Sequence, residues 1–368
     1  THGHPGFQRG TSYTRDNYNR ETIVADLNRA LYFGVSTVMS QGIEIGEVMH
    51  EIRAAQAAGQ LGGARLLFAG RGIGAPNAGP GGAAYANIAY EVTTEQEIHR
   101  AVQTEAARKV NAIKIWVDDR GGRAPRLSPA LFRAGIDEGH RQGLKVTAHV
   151  FYHSDAVDLA AAGANGFAHL VRDKVMDDEL IALMNRNQVH VMPNIGTPER
   201  ATHTAPPPWF DEPYLAAMLR DTVSPAVIER IRKSFTSRDP ETAARNRKNY
   251  AILQQSVARL AKADALIVLG SDTGLEDHIF GYVEQKELEL MNAAGMTPMQ
   301  VIVAATSRAA AFLDLKNTGT LAAGRRADFL VLDANPLDDI RNTRRIAGIV
   351  IGGRDVDRAA LRASLPRD

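Results

Sequence analysis

Short aliphatic and β-branched runs alternate along the chain with longer stretches whose apolar positions recur every three or four residues. The runs Val35–Ser40, Ala64–Ala69, Ala112–Asp118, Lys145–Phe151, Gly166–Val171, Val189–Asn194 and Leu266–Gly270 predict strands. Between them, Glu21–Phe33, Glu44–Ala58, Thr94–Val110, Pro129–Gln142 and Glu179–Arg186 predict helices. In Glu21–Phe33 the residues Ile23, Leu27, Ala30 and Leu31 fall on one stripe of a helix. Strands alternating with amphipathic helices of roughly 10 to 15 residues call for βαβ units and a parallel sheet. Seven strands are visible, and an eighth would end near His2. The fold class is therefore α/β, and a closed (β/α)8 TIM barrel fits the strand number. An open doubly wound sheet is the alternative.

Two regions depart from the rhythm. Residues 196–250 form a long insertion with Pro206-Pro207-Pro208-Trp209-Phe210 and a charged stretch over 230–248. Emerging beyond strand seven, it is expected on the active face as a lid. Trp209 and Phe210 either wall an apolar pocket or anchor the segment, and the Arg- and Lys-rich part reads as a solvated helix face. Beyond Lys316 the runs Asp328–Leu332 and Ile346–Ile351 predict a small β unit. The expected division is a barrel over 1–315 and a C-terminal β segment over 316–368.

Composition narrows the function classes. The chain has 368 residues, with 43 Lys and Arg against 42 Asp and Glu, for a formal net charge of +1. That balance gives no electrostatic reason for nucleic acid or an anionic membrane as partner. Zero cysteines excludes disulfides, thiolate metal sites and a Cys nucleophile. No run approaches the length of about 20 apolar residues that spans a bilayer. The abrupt opening Thr1-His2-Gly3-His4 leads us to expect residues, and any leader, upstream. Localisation is left undetermined, with the cytoplasm as default.

Polar residues at strand tips carry the candidate chemistry. In a strand, His2 and His4 point to one side, so both imidazoles can reach one cation; a frayed terminus would look the same. His149 closes the fifth predicted barrel strand, and His169 stands 20 residues on at the end of the next. Each alone reads as a hydrogen-bonded core residue, but matched placement on consecutive strands puts both on the rim where barrel enzymes work. Asp272, in Gly270-Ser271-Asp272-Thr273-Gly274, is either a metal-ligating proton acceptor or a turn-forming Asp. Lys114 lies within Ala112-Ile113-Lys114-Ile115-Trp116-Val117, pointing into the barrel while both isoleucines face the helices. A buried ammonium needs a carboxylate partner. The neutral amine could instead add carbon dioxide, giving a carbamate able to bridge two cations.

In this combination the chain resembles the metal-dependent amidohydrolase superfamily, near its imidazolonepropionase and prolidase-like branches. The resemblance rests on His2-Gly3-His4, Lys114, His149, His169 and Asp272 in that order. It also rests on a Lys-Ile-Trp run on strand four and on the tail Gly319–Leu332. It implies two divalent cations, zinc first among them. His2, His4 and Asp272 would hold one and His149 and His169 the other, bridged by carbamylated Lys114. It further implies attack on an amide or peptide-like C–N bond by a metal-bridging hydroxide, with Asp272 as general base and then acid. An uncarbamylated Lys114 would suggest a single-metal site. The family builds a β-sandwich from both chain ends, so the tail is expected to be one part of it. Esterase, lactonase or phosphotriesterase chemistry on the same site, and a non-catalytic scaffold, stay as alternatives. A small-molecule substrate is the expected partner, with homo-oligomerisation left open.

Other signals are weaker. Tyr152 and His153, just past strand five, are candidate substrate contacts. Arg172 is a candidate for a substrate carboxylate, against the ordinary fate of a rim salt bridge. The loop Gly70-Arg71-Gly72-Ile73-Gly74 followed by Gly79–Gly82 resembles a phosphate cradle, but no helix opens at its third glycine, and it reads as a mobile rim loop. His50, His99 and His140 fall on predicted helices and read as solvated.

Overall fold

Parallel strand pairing dominates the computed structural model, which describes residues 1–366. The chain opens with the small hairpin β1 (Gln8–Arg9) and β2 (Ser12–Tyr13), followed by α1 (Arg20–Tyr32), β3 (Thr37–Ser40), α2 (Val48–Ala57) and β4 (Arg65–Phe68). Next come β5 (Ile73–Gly74), β6 (Tyr90–Glu91), α3 (Glu95–Ala107), β7 (Ala112–Trp116), α4 (Pro129–Arg141) and β8 (Lys145–His149). The alternation continues through α5 (His153–Ala161), β9 (Gly166–Ala168), α6 (Asp178–Arg186) and β10 (His190–Met192). Strands β10, β9, β8, β7, β5 and β6 form, in that order, one six-stranded parallel sheet, and β3 pairs with β4 in a second parallel set. Isolated parallel bridges join Val191 to Ile267, Gly3 to Thr273 and Gly3 to Ser40.

Local sequence accounts for these elements. Asn19 caps α1 by accepting from the Thr22 amide, and Thr94 with Glu97 forms a capping box at the start of α3. All five residues of β7 are buried, as expected of a central strand covered on both faces. The predicted strand Leu266–Gly270 is a correction: only the Ile267 bridge forms there. Close packing accounts for Gly72 in the 70–74 loop. A Cβ on Gly72 would come 2.0 Å from Cζ3 of Trp116, so the backbone can lie against that indole only without a side chain.

The insertion is helical and built into the core. It comprises α7 (Gly196–Arg200), α8 (Pro213–Thr222), α9 (Pro225–Thr236) and the start of α10 (Pro240–Lys262). Each of the last three begins with proline, behind Glu212, Ser224 and Asp239 as N-caps. Phe210, Leu215, Leu219, Ile231 and Phe235 are buried in the main hydrophobic cluster. Trp209 packs on Phe235 and Tyr282 at ring-centroid distances of 5.9 and 6.4 Å and donates from Nε1 to Glu199. Of the two readings of Trp209 and Phe210, the structure gives the anchor.

The chain then passes through α11 (Tyr282–Ala293), α12 (Pro298–Ala305) and α13 (Ser307–Phe312) to β11 (Phe329–Leu332), β12 (Ile346–Ile351), β13 (Arg354–Asp355) and α14 (Arg358–Ser364). The last three strands make an antiparallel sheet, and its Ile346 and Ile349 are buried in the main cluster. Among the described residues no helix is long and apolar enough to cross a membrane.

Candidate metal centre

The Gly3 bridges bring the N-terminal histidines to the end of the sheet. Its amide donates to Met39 O at 3.0 Å and the His4 amide donates to Thr273 O at 2.7 Å, pinning the segment between the β3 side and the 271–274 segment. A Cβ on Gly3 would meet Cγ2 of Thr273 at 2.8 Å, so the middle position of the His-Gly-His motif admits only glycine without movement. His149 is the last residue of β8, and His169 follows β9 directly. His169, Asn194 and Asp272 have φ values of 73°, 49° and 57°, the left-handed region that Asn, Asp and His visit more readily than other side chains. Such backbone conformations concentrate at functional sites.

Five of the six predicted ligands, all but Lys114, are linked through close contacts. Asp272 Oδ1 lies 3.0 Å from His4 Nε2 and 3.4 Å from His2 Nε2, and Oδ2 lies 3.9 Å from His169 Nε2. His2, His169 and Asp272 each place a ligand atom within 4.8 Å of the others, and all three are buried. The rings of His149 and His169 are 4.5 Å apart between centroids, so His169 stands between the two halves. Lys114 is 1 % exposed, and its ammonium nitrogen has no hydrogen-bond partner.

Electrostatics suits cation binding. Burial, with weaker opposition from the Asp272 charge, holds His2 well below its ordinary pKa. Burial and then His149 do the same to His169, and burial brings His149 to about 4. The imidazoles are therefore neutral at pH 7, with lone pairs to offer. Burial works to raise the Asp272 pKa, but His2, His169 and His4 together hold it well below the usual carboxylate range. Burial lowers Lys114 to about 7 against the pull of Asp272, Asp118 and Glu44, so an uncharged amine is accessible near neutrality.

The donor set fits a divalent cation on two counts. Two ligands each about 2.0–2.1 Å from a tetrahedral zinc stand about 3.3–3.4 Å apart, close to the 3.4 Å between His2 and Asp272. Nδ1 of His4, Nδ1 of His169 and Nζ of Lys114 are buried without partners. Each such orphan costs on the order of 1–3 kcal/mol unless something binds it.

The predicted substrate contacts divide. Tyr152 donates its hydroxyl to Asp119 at 2.9 Å and stacks under Arg126, with 3.8 Å from guanidinium to ring centroid. His153 begins α5, 2.9 Å from Asp177 and away from the other histidines in its contacts. Arg172 corrects the salt-bridge expectation: among the described residues no carboxylate lies within 4.0 Å of its guanidinium, which sits 5.8 Å from the Phe151 ring. Its charge nevertheless acts on His149 and His169.

Two residues of the site went unread in the sequence. Asp118 Oδ1 is 3.3 Å from His149 Nε2. Asn194 Oδ1 accepts from the His169 amide at 3.0 Å and lies 3.3 Å from His2 Nδ1. Asn194 ends the predicted strand Val189–Asn194, at the rim position that His149 and His169 hold on their own strands, and that register was the available signal.

Comparison with known proteins agrees with this arrangement. The family model described as "Amidohydrolase family" matches residues 1–356. Ochratoxinase of Aspergillus niger is 27% identical over 255 residues, covering 67% of this chain and 45% of that protein. An uncharacterised Mycobacterium tuberculosis protein is 31% identical over 135 residues, 36% of this chain. The chain thus spans about a third of that relative, 34% of its length. Among solved structures, a Bifidobacterium longum protein assigned as a prolidase is 26% identical with a TM-score of 0.74, covering 94% of this chain and 80% of that one.

Proposed function

The chain belongs to the amidohydrolase family, and from that premise we propose that it hydrolyses an amide or peptide-like C–N bond at the centre built by His2, His4, His149, His169 and Asp272. The observation that carries the reading is the convergence of His2, His4 and His169 on one ionised, buried carboxylate, with the ring of His149 against that of His169. The likeness to proteins named prolidase and ochratoxinase supports amide over other acyl substrates.

Divalent cations, zinc first among them, would supply Lewis acidity and a water of lowered pKa. His2, His4 and Asp272 would hold one cation and His149 and His169 the other. Lys114, if its neutral amine adds carbon dioxide and loses a proton, would bridge them as a carbamate. Asp272 is ionised and buried, so its carboxylate can accept the proton of the attacking water and return it to the departing amine nitrogen. Arg172 is placed to pair with a carboxylate on the substrate, since no protein carboxylate occupies it at contact distance.

The isolated bridges support a closed (β/α)8 barrel, with the Gly3 and Ile267 segments standing where two strands would complete the ring. Within it the division at 315/316, and a C-terminal sheet forming part of a composite sandwich, are our reading of the domains. The helical insertion 196–250 would cover the active face.

The test is to measure metal content per chain and hydrolysis of matched amide and ester substrates, before and after chelation. Bound divalent metal, chelator-sensitive turnover and a higher kcat/KM on the amide are expected. About zero ions and no turnover would leave a scaffold; ester preference would move the enzyme to the esterase or lactonase class.

A further inference from the structure

Asp118 lies in a bend two residues past the end of β7, the strand that carries Lys114 and Trp116. It is 4 % exposed. Its Oδ2 accepts the Arg120 amide at 3.1 Å, while its Oδ1 stands 3.3 Å from Nε2 of His149. Neighbouring guanidinium groups do not neutralise it at contact distance. Arg126 reaches Asp119 and Asp155 instead, and among the described residues Arg172 has no carboxylate within 4.0 Å.

Among the described residues the buried Asp118 carboxylate therefore meets no Lys or Arg side chain at contact distance, and its one close side-chain neighbour is the imidazole of His149. Proteins rarely keep a buried carboxylate so placed without a further partner such as a cation. The 3.3 Å spacing matches the separation of about 3.3–3.4 Å between two ligands of one tetrahedral zinc.

Resting on the metal reading of the site, we infer that Asp118 is a direct ligand of the cation on the His149–His169 side of the centre. That side then has three protein ligands and one open position, the usual complement of a catalytic zinc. It also carries a carboxylate of its own, so its occupancy does not require modification of Lys114.

The test is zinc binding to the metal-stripped full chain, by calorimetry and by metal analysis after desalting, in carbonate-free buffer and with added bicarbonate. Two ions per chain are expected in both buffers. Asp118→Asn should keep one ion at unchanged affinity and weaken the second at least about tenfold. Two ions of unchanged affinity in Asp118→Asn overturn the assignment alone, as does wild type that takes its second ion only with bicarbonate or takes only one. Wild type that takes no zinc overturns the metal reading and the assignment together. Should Asp118→Asn fail to fold, anomalous scattering at the zinc edge on wild-type crystals decides. An Asp118 oxygen within about 2.0–2.2 Å of an ion is expected, and no ion touching Asp118 overturns the assignment.

Discussion

Asn194 Oδ1 stands 3.3 Å from Nδ1 of His2 while accepting the His169 amide at 3.0 Å. An amide N–H can only donate, so the atom it meets is the Asn194 oxygen, which in turn makes Nδ1 of His2 the protonated nitrogen. Nε2 of His2 is left with its lone pair on the side of Asp272, 3.4 Å away. One side chain thus sets the tautomer of His2 and helps fix the backbone that presents His169. Outer contacts of this kind contribute about 10- to 100-fold in metal affinity. Asn194→Leu should lose that much, measured by competition with a chromogenic chelator, and Asn194→Asp, which keeps the acceptor, should recover most of it. Unchanged affinity in Asn194→Leu would remove the positioning role.

Glu287 on α11 is fully buried and accepts from the Ile195 and Gly196 amides at 2.9 and 2.8 Å, where α7 begins. Burial nevertheless outweighs both bonds and pushes its pKa up to about 8. The folded chain then binds more protons than the unfolded chain between about pH 4.5 and 8. Stability is favoured below that window and falls as pH rises through it. Unfolding free energies from urea titrations should decline from pH 5 to pH 8, by up to the order of 4 kcal/mol, and Glu287→Gln should flatten the decline. Parallel slopes for the two proteins would assign the pH dependence elsewhere.

Asp277 ties the insertion to the loop that follows Asp272. Arg230 Nε donates to its carboxylate at 2.8 Å, Arg200 Nη1 donates to its carbonyl at 3.2 Å, and its own amide donates to Gln8 Oε1 at 2.8 Å. Asp277→Ala would leave the buried Arg200 and the half-buried Arg230 without their shared counter-charge. Removing one partner of a buried pair costs about 3–5 kcal/mol; Arg230 is partly solvated, so the lower end is expected here. Hydrogen exchange in α7 and α9 should rise while that in β7 and β8 stays unchanged. Protection unchanged in α7 and α9 would show that apolar packing of Phe210 and Phe235 alone holds the insertion.

Residue type and strand register made much of this site readable before the fold. Lys145–Phe151 was expected as a strand and forms over Lys145–His149; His149, His169 and Asp272 were singled out because each ends or follows an apolar run. Asp118 and Asn194, which end the predicted strands Ala112–Asp118 and Val189–Asn194, escaped because Asp and Asn at a strand end look like turn formers; their distances to His149 and His2 place them at the site. The pairing of His2 with Asp272 crosses 270 positions, so it follows from Gly3 bridging Thr273, which local pattern does not encode. In the insertion the Arg- and Lys-rich part reads from sequence as a solvated helix face, and the other helices carry no assignment. Pro213, Pro225 and Pro240 stand at helix starts behind capping Glu212, Ser224 and Asp239, where a missing N–H is harmless.

Asp272 is the residue on which the proposed chemistry turns, because it touches His2 and His4 and stays ionised in a buried place. As a ligand it needs an oxygen lone pair, which an amide retains, though with weaker hold on a cation than a carboxylate. As a proton acceptor it needs the carboxylate, which an amide lacks. Asp272→Asn therefore separates the two roles. The variant should retain at least one bound ion and bind substrate with KM within a few-fold of wild type, while kcat falls by about 10²- to 10⁴-fold, the usual contribution of a positioned acid–base group. Loss of metal together with kcat would make Asp272 chiefly a ligand. Wild-type kcat with metal in place would transfer the proton to another group, and Asp118, on the opposite side of the centre, would be the next to replace.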